Sequence, residues 1–393
     1  MYVKLALPRD YEPTDEALRS LRAWVEEYVR EKAKEIAKAL EVCGEDSVSF
    51  ETEFGRMTVT PDGSGSGPEA VTTRFYFPAT DEPEEVMHSN TILYTIQSLP
   101  HASFLTLWDS LVFPPGKKKS LRNLVRASRR LAKAGVDPNL ILTHKMLLLH
   151  SVPGCGKTSV AMALAQELSV DMSPDVEQGG EDVVRNTAVL ITVNAHALFS
   201  KWFSESGKIV TKMFSSISEE ASDGKDVYLL IDEVESLAGS RERAMGAGEP
   251  SDMVRATNAM LTQLDLIKRH PNTYIICTTN TFGALDEAFI DRCDAVIGLD
   301  PPGEEARRLI LMSSITELLC KRVLCRAGCD TPVHEPCTCD ACNVNAIVRA
   351  SAGKSGRQLR KLPYVALSRC MSAAPTLPSF LEAMLSTIDE SSS

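Results

Sequence analysis

The fold is decided by the stretch Met146-Leu-Leu-Leu-His-Ser-Val-Pro-Gly-Cys-Gly-Lys-Thr158, in which an apolar run leads into a glycine-bearing loop. A helical pattern follows from Ser159 to Leu168. A strand, such a loop and a helix in this order allow backbone N–H groups and the helix N-terminus to surround the phosphates of a nucleotide. The sequence therefore predicts a nucleotide site, in which Lys157 reaches the β and γ phosphates and the Thr158 hydroxyl holds Mg²⁺.

One position of this loop departs from the full phosphate-loop pattern, which expects glycine where the chain has Ser151. The two glycines that face the phosphates and the Lys-Thr pair are retained. They favour nucleotide binding over an ordinary glycine-containing strand-to-helix turn, and we expect Ser151 to slow turnover without abolishing binding. The predicted nucleotide-binding residues of the loop are Ser151, Val152, Pro153, Gly154, Cys155, Gly156, Lys157, Thr158 and Ser159.

Two later apolar runs end in polar residues. In Val227-Tyr-Leu-Leu-Ile-Asp-Glu233, Asp232 is predicted to lie beside the metal and Glu233 to orient and deprotonate water. Tyr274-Ile-Ile-Cys-Thr-Thr-Asn280 ends in an amide that can hold the attacking water. Each run alone is also typical of a core strand followed by solvated acids or a turn. Together with the loop they predict ATP hydrolysis, while the lack of an Asn-Lys-x-Asp guanine motif disfavours a GTPase and the lack of a recognisable phosphoacceptor subsite disfavours a kinase.

Composition excludes several other classes. The chain has 393 residues, is 44% hydrophobic, and carries 42 Lys and Arg against 53 Asp and Glu, a net charge of −11. No apolar run approaches the ~20 residues that a membrane-spanning helix needs, and charges interrupt the N-terminus where a signal peptide would be apolar. An acidic surface repels nucleic-acid phosphates. We therefore expect a protein of the cytosol or nucleus, without membrane insertion or direct nucleic-acid binding.

Composition and periodicity divide the chain into three units. Residues 1–100 combine a helical period from Thr14 to Leu40 with short β-rich segments, which predicts a small α+β domain, and Pro78–Glu85 is a candidate start of a linker. The predicted strands of this unit are Ser47–Phe54, Arg56–Thr60 and Val71–Phe77.

The second unit, residues 101–300, alternates short apolar runs with helical periods, which indicates an α/β fold with a mostly parallel sheet. Ligands of such sheets bind at the carboxyl ends of the strands. The predicted buried strands are Met146–Leu149, Ala188–Val193, Val227–Ile231 and Tyr274–Thr278. Residues 301–393 form the third unit, which is helical with an interrupting Cys-rich loop.

With these residues in place, the chain resembles the AAA+ ATPases and, among them, the pachytene checkpoint ATPase family, which remodels HORMA-domain proteins. The stretches that carry the resemblance are Leu107–Val112, Phe199–Gly207, Ile231–Leu237, Glu249–Asp252, Ile267–His270, Asp291–Arg292 and Ser355–Pro363. The resemblance implies an ATP- and Mg²⁺-dependent homo-hexamer with an AAA+ core, a C-terminal helical lid and an N-terminal domain that receives HORMA-domain substrates, directly or through an adaptor. It also implies work in meiotic chromosome-axis regulation and the spindle checkpoint, in the nucleus on chromosomes, with the cytoplasm as a second location.

The same resemblance assigns roles around the nucleotide. Arg292 corresponds to the arginine finger that stabilises transition-state charge in the neighbouring subunit; its alternative is a surface ion pair with Asp291 or Asp294. Arg357 matches the second sensor of the lid. Leu111 and Val112 match the segment that passes the adenine.

A second assignment concerns the pore of the implied ring. Lys201, Trp202 and Phe203 match the pore-loop position, where a flat aromatic can grip an extended peptide without requiring a particular sequence. The alternative is that both aromatics are core residues of a helix from Ala197 to Phe214.

The Cys-rich loop departs from the family pattern. Its Cys and His residues outnumber the four ligands of a tetrahedral structural zinc, and two ligand pairs could close a loop too polar to fold alone. Free thiols in an insertion remain the alternative. The candidate Zn²⁺ ligands are Cys325, Cys329, His334, Cys337, Cys339 and Cys342.

Two other functions stay open besides remodelling. A ring that binds nucleotide but hydrolyses it poorly would act as a scaffold of chromosome axes. This alternative stays open because Ser151 departs from the phosphate-loop pattern. A clamp-loader-like DNA remodeller is disfavoured by the acidic charge and by the aromatic at the pore position.

Overall fold

The computed structural model describes residues 2–8, 14–32, 35–36, 48–52, 54–60, 72–88, 91–137, 140–141, 145–171, 183–185, 188–195, 206–236, 251–325, 344–370 and 375–390. The strands are β1 (Tyr2–Ala6), β2 (Val48–Thr52), β3 (Gly55–Thr60), β4 (Thr72–Phe77), β5 (Glu84–His88), β6 (Thr91–Leu99), β7 (Met146–His150), β8 (Val183–Arg185), β9 (Ala188–Val193), β10 (Asp226–Ile231), β11 (Thr273–Thr279) and β12 (Ala295–Gly298). The α-helices are α1 (Asp15–Glu31), α2 (Leu107–Ser110), α3 (Lys117–Lys133), α4 (Lys157–Asp171), α5 (Ser206–Ser222), α6 (Ser251–Ile267), α7 (Glu287–Ile290), α8 (Glu304–Cys320), α9 (Asn345–Ala350), α10 (Gly356–Arg369) and α11 (Leu377–Glu390).

The N-terminal sheet has the strand order β2-β3-β1-β4-β8. Its centre is β1, which pairs antiparallel with β3 and parallel with β4. Helix α1 begins where the Thr14 hydroxyl accepts the Ala17 N–H at 3.2 Å, and its apolar residues at steps of three and four pack on the sheet, where Val25, Val29 and Phe75 are fully buried.

This sheet confirms the predicted α+β character and the three predicted strands. The prediction missed β1, and it did not expect β8 to join the sheet beside β4. The helix predicted from Thr14 to Leu40 starts as expected but α1 ends at Glu31; Ile36 is described and buried, and the remainder of the predicted helix falls mainly on residues outside the described ranges.

The second sheet has the order β12-β7-β11-β10-β9-β6-β5. The neighbours β7, β11, β10 and β9 are parallel, and every residue of β10 and β11 is buried, as the apolar runs predicted. Strands β6 and β5 extend this sheet in antiparallel pairing. The second sheet therefore begins at Glu84, ahead of the predicted boundary at residue 100. Residues 78–83 of the predicted linker segment connect β4 of the first sheet to β5 of the second, and Glu84 and Glu85 belong to β5.

The described residues form two compact units. The first comprises Met1–Asp109, Pro115–His150 and Thr158–Ile297, and the second comprises Ser110–Pro114, Ser151–Lys157 and Gly298–Ser393. In the second unit, α8 to α11 pack around buried residues such as Leu311, Val348 and Phe380, which confirms the helical C-terminal region. No helix of the described ranges is both long and apolar enough to cross a membrane.

Candidate active site

One group of predicted site residues lies where β10 and β11 end, within the first unit. Ile231 pairs with Cys277 in parallel register, so the residues that follow, Asp232 and Thr278, emerge side by side at the carboxyl edge of the sheet. The Thr158 hydroxyl donates to Asp232 Oδ1 at 3.0 Å and contacts Oδ2 at 3.1 Å, and the Thr278 hydroxyl also donates to Oδ1. The structure thus brings together both predicted Mg²⁺ ligands.

These ligands suit the metal that the sequence predicts. A carboxylate and a hydroxyl are hard oxygen donors, the kind that Mg²⁺ prefers, and Mg²⁺ sites typically combine one or two protein donors with water and substrate phosphates. Asp232 and Thr158 are both only partly buried, so water and phosphate have access to them. The donor set therefore fits Mg²⁺, and its assignment as the ligand set stays a prediction.

Glu233 directly follows this carboxylate and is exposed. Its backbone is left-handed, with φ of 54°, a conformation that is rare and costly for a non-glycine residue. Thr278 Oγ1 accepts the Glu233 N–H at 3.2 Å, and Asn280 Nδ2 donates to Glu233 Oε1 at 3.5 Å. The predicted base and the predicted water-holding amide are therefore neighbours.

Beneath this edge, Cys277 lies in the middle of the sheet. Burial raises the pKa of the Cys277 thiol well above its usual range, and the nearby Cys293 adds to the effect. A thiol held neutral is a poor nucleophile, so the reactive groups at this edge are the carboxylates and the amide.

A further group of predicted site residues is the phosphate loop, Ser151–Lys157, which belongs to the second unit and is described within it. The buried Lys157 ammonium donates to the Ser151 carbonyl at 3.0 Å, to Ser151 Oγ at 3.2 Å and to the Val152 carbonyl at 3.3 Å. Ser151 Oγ is an acceptor that glycine would not supply. The departure from the loop pattern thus adds one contact that Lys157 must exchange when it turns to a phosphate.

The glycines of the loop are required by geometry. Gly154 and Gly156 have φ of 83° and 88°, and a Cβ on Gly154 would lie 2.7 Å from Ser355 Oγ. The Gly154 carbonyl accepts the backbone N–H of Arg357 at 3.1 Å. A loop with left-handed glycines allows close approach of the backbone to a phosphate chain.

Helix α10 brings Arg357 to this loop. Ser355 caps the helix: its hydroxyl accepts the Gln358 N–H at 3.4 Å, and Gln358 Oε1 accepts the Ser355 N–H at 2.8 Å. The predicted second-sensor residue is therefore the second residue of a helix that begins against the loop. Leu111 also lies beside the loop, since its Cδ2 is 3.5 Å from where a Gly156 Cβ would be, and Val112 packs on the helical core.

Arg292 forms an ion pair within the chain. Its Nε donates to Asp265 Oδ2 at 3.0 Å and its Nη1 to the Ala288 carbonyl at 2.7 Å. The partner is Asp265, rather than the Asp291 or Asp294 of the alternative; Asp294 instead binds Lys268 at 3.0 Å. A role of Arg292 toward a neighbouring subunit stays a prediction.

Comparison with known proteins adds the family. Residues 147–301 match the ATPase family associated with various cellular activities (AAA), and residues 331–392 match the TRIP13-like AAA+ ATPase lid C-terminal domain. The Pachytene checkpoint protein 2 homolog of Danio rerio is 39% identical over 317 residues, which cover 77% of this chain and 71% of that protein. The chain belongs to the pachytene checkpoint protein 2 family.

Other relatives and structures agree with this membership. The Arabidopsis thaliana homolog is 41% identical over 68% of this chain and 60% of its own length, so the chain spans less than two thirds of that relative. The structure of C. elegans PCH-2 is similar at 28% identity, with a TM-score of 0.77, over 99% of this chain and 98% of that one. The fold, an AAA+ core with a helical lid and an N-terminal domain, is thereby confirmed, and the chain carries an ATPase domain of the AAA class.

A third comparison bears on the fold alone. A chain in the structure of an E. coli MS115-1 HORMA:CdnC:Trip13 complex matches at 17% identity with a TM-score of 0.56, over 75% of this chain and 94% of that one. The family and its fold therefore rest on the relatives above, and this match adds that the same architecture occurs in that complex.

Several predicted site residues lie outside the described ranges. These are the pore-loop residues Lys201, Trp202 and Phe203 and the candidate zinc ligands Cys329, His334, Cys337, Cys339 and Cys342. Cys325 is described: it is exposed, and its N–H donates to the Pro375 carbonyl at 3.0 Å. No group of three or more potential ligands capable of holding a metal occurs in the part of the chain that the structure describes. Zinc stays a prediction, which metal analysis of the purified protein would test.

Two contacts at the site were missed by sequence reasoning. Thr278 holds Asp232 and the Glu233 backbone, and the Glu235 carboxylate accepts the backbone N–H of Asn280 at 3.0 Å. The only sequence signal for them is that both belong to the polar ends of the same two strands.

Proposed function

We propose that this chain hydrolyses ATP as a homo-hexameric ring and uses the energy to unfold HORMA-domain proteins in part, converting a closed conformer to an open one. The observation that carries the proposal is the cluster at the ends of β10 and β11. There the Thr158 hydroxyl donates to Asp232, the Asn280 amide contacts Glu233, and the two acids are consecutive in the chain. A metal-binding pair next to a base and a water-holding amide suits phosphoryl transfer to water.

Each residue of the cluster has a distinct task in this proposal. Glu233 takes the proton of the attacking water, and Asn280 holds that water by its amide. Thr158 and Asp232 hold Mg²⁺, which when bound offsets the negative charge of the phosphates. Lys157 leaves its loop oxygens for the β and γ phosphates, and Arg357 reports their occupancy to the lid.

The ring supplies the remaining parts. Arg292 of one subunit exchanges Asp265 for the γ phosphate bound by its neighbour, an effect worth ~10³-fold or more in comparable enzymes. Trp202 and Phe203 pull the substrate through the pore. The N-terminal domain receives the substrate, directly or through an adaptor.

The choice of substrate is supported by family membership and by the HORMA:CdnC:Trip13 complex, in which a fold of this kind is found with a HORMA protein. We place the work in meiotic chromosome-axis regulation and the spindle checkpoint, in the nucleus and also in the cytoplasm. The net charge of −11 supports a protein substrate over a nucleic acid.

One observation favours a second candidate, a scaffold that binds nucleotide but turns it over poorly. Ser151 supplies an additional acceptor to Lys157, which stabilises the lysine away from phosphate. A Ser151→Gly variant separates the two candidates: if hydrolysis rises from near zero to a rate typical of the class, the natural chain is a scaffold.

The direct test measures ATPase activity of the purified protein and of Glu233→Gln, and then the opening of a purified closed HORMA-domain protein. We expect the natural chain to hydrolyse ATP and Glu233→Gln to lose this activity. We expect Trp202→Ala to keep ATPase activity but to lose the ability to open the substrate. Absence of ATPase activity overturns the enzyme proposal. Opening at the natural rate by Trp202→Ala overturns the pore mechanism.

A further inference from the structure

Glu235 reaches from one catalytic loop to the other. It lies in the 3-10 turn Val234–Ser236 that follows β10, and its Oε1 accepts the backbone N–H of Asn280, 45 residues away, at 3.0 Å. A hydrogen bond to an ionised acceptor is about twice as strong as one between neutral groups. Glu235 therefore fixes the backbone from which the Asn280 amide projects.

The turn that carries Glu235 is itself held by the predicted base. The Glu233 carbonyl accepts the Ser236 N–H at 3.0 Å and the Ser236 hydroxyl at 2.8 Å, so the chain folds back immediately after the left-handed Glu233. This reversal aims the Glu235 side chain across to β11. Glu233 and Glu235 thus share one rigid turn, and Asn280 is tied to both.

Glu235 binds the Asn280 backbone more closely than Glu233 contacts the Asn280 side chain. Asn280 follows β11 in a bend and is partly buried, and its Nδ2 contacts Glu233 Oε1 at 3.5 Å, the long limit of a hydrogen bond. A contact this long does not orient the amide by itself. The shorter bond from Glu235 to the Asn280 backbone is the stronger restraint on where the amide lies.

The second oxygen of the Glu235 carboxylate carries a cost in stability. Glu235 Oε2 is buried, and no hydrogen-bond partner is found for it among the described residues. A buried carboxylate oxygen without a partner lowers stability, and such groups persist where function requires them.

We propose that Glu235 is a positioning residue for ATP hydrolysis, which holds Asn280 in line with Glu233. The inference rests on the proposed roles of Glu233 and Asn280. Glu235 touches neither water nor phosphate in this proposal; it acts only through Asn280. It should therefore affect the chemical step more than nucleotide binding.

The experiment compares four variants of the full chain in steady-state ATPase assays. Glu235→Ala and Glu235→Met cannot accept the Asn280 N–H, and Met also fills the side-chain volume, so a void is not the cause if both behave alike. We expect both to lower kcat about tenfold, the effect of one charge-assisted hydrogen bond, with KM for ATP changed by less than about twofold. Glu235→Gln keeps an acceptor oxygen and should retain kcat within about threefold. The matched control is Glu219→Met, an exposed glutamate of α5 that should match the natural chain.

A double variant tests the route of the effect. In an Asn280→Ala background, Glu235→Met should lower kcat no further, because the side chain that Glu235 positions is already gone. Unchanged kcat in Glu235→Met, or a second full tenfold loss in the double variant, overturns the inference. If the natural chain shows no ATPase activity, or none that Glu233→Gln removes, the proposed function itself is wrong. This outcome differs from the two above, in which the natural chain is an active ATPase and only the role of Glu235 is wrong.

Discussion

The polar groups at the two ends of helix α4 differ in their exposure and in their ion pairing. At the N-terminal end, the Thr158 hydroxyl donates to the partly exposed Asp232 carboxylate at 3.0 Å, and among the described residues no lysine or arginine forms an ion pair with that carboxylate. At the C-terminal end, Lys4 forms ion pairs with Glu167 at 2.6 Å and with Asp171 at 2.8 Å. The first end presents oxygens to solvent, whereas the second encloses charge.

The difference indicates that the N-terminal end of α4 is suited to ligand binding and that the C-terminal end stabilises the fold. Two acids near a helix C-terminus oppose the helix dipole, and the Asp171 side chain is 1% exposed, so cations from the chain must balance them. Lys4 comes from the N-terminal sheet, and Arg126 of α3 also pairs with Asp171. The C-terminal end therefore joins the N-terminal sheet to the helix whose other end begins at the phosphate loop.

Of the changes considered for the two ends of α4, replacement of Lys4 is expected to have the largest effect on stability. We predict that Lys4→Met lowers the free energy of unfolding by about 3 kcal/mol, because it leaves the buried Asp171 and the partly buried Glu167 without their shared cation. Urea unfolding of the natural chain and the variant in parallel measures this. The ATPase rate per folded molecule should stay within about twofold; a variant as stable as the natural chain would show that the arginines alone neutralise the acids.

The opposite pattern is expected at the N-terminal end. Thr158→Val keeps the side-chain shape but removes a predicted Mg²⁺ ligand, so we predict a fall of about 100-fold in kcat/KM, equal to about 2.7 kcal/mol, and an unchanged melting temperature. The matched control is Thr262→Val, since that hydroxyl donates to the Asn258 carbonyl of its own helix at an exposed position. Normal activity of Thr158→Val at low Mg²⁺ would remove Thr158 from the ligand set.

The contrast also separates what the sequence could predict from what it could not. Lys157 and Thr158 lie within one short loop motif and Asp232 follows an apolar run, so local pattern is enough to predict a role for each. The structure brings Thr158 and Asp232 together, and the roles stay predictions. Lys4 contacts Glu167 across 163 residues, and no local period signals such a pair. The residues of β6 fall in the predicted N-terminal unit because the strand that pairs with them, β9, is remote in sequence. The edge strand β5 is also hard to predict, because it follows an acidic, proline-containing segment that is typical of a linker.

The stability that Asp171 contributes at the C-terminal end of α4 should depend on pH. Burial alone would raise the pKa of Asp171, but Lys4, Arg126 and Arg122 outweigh it and lower the pKa to about 2. A lowered folded-state pKa contributes stability above the unfolded value, near 4, which is lost as the pH falls toward 2. We predict that the natural chain exceeds Asp171→Asn in unfolding free energy by about 2 kcal/mol above pH 5 and that the difference shrinks to near zero at pH 2. A constant difference over this range would contradict the assignment.

The smallest effect is expected for an ion pair that neither end of α4 contains. Arg369 and Glu390 join α10 to α11 through two hydrogen bonds of 2.9 and 2.8 Å, yet their side chains are 37% and 66% exposed. Water already solvates both charges, so Arg369→Ala should lower the unfolding free energy by only about 0.5 kcal/mol, and added salt should reduce even that. The pair has the better geometry of the two, since Lys4 offers no such parallel fork. If Arg369→Ala nevertheless matched Lys4→Met in urea unfolding, then hydrogen-bond geometry, rather than burial, would set the value of ion pairs in this chain.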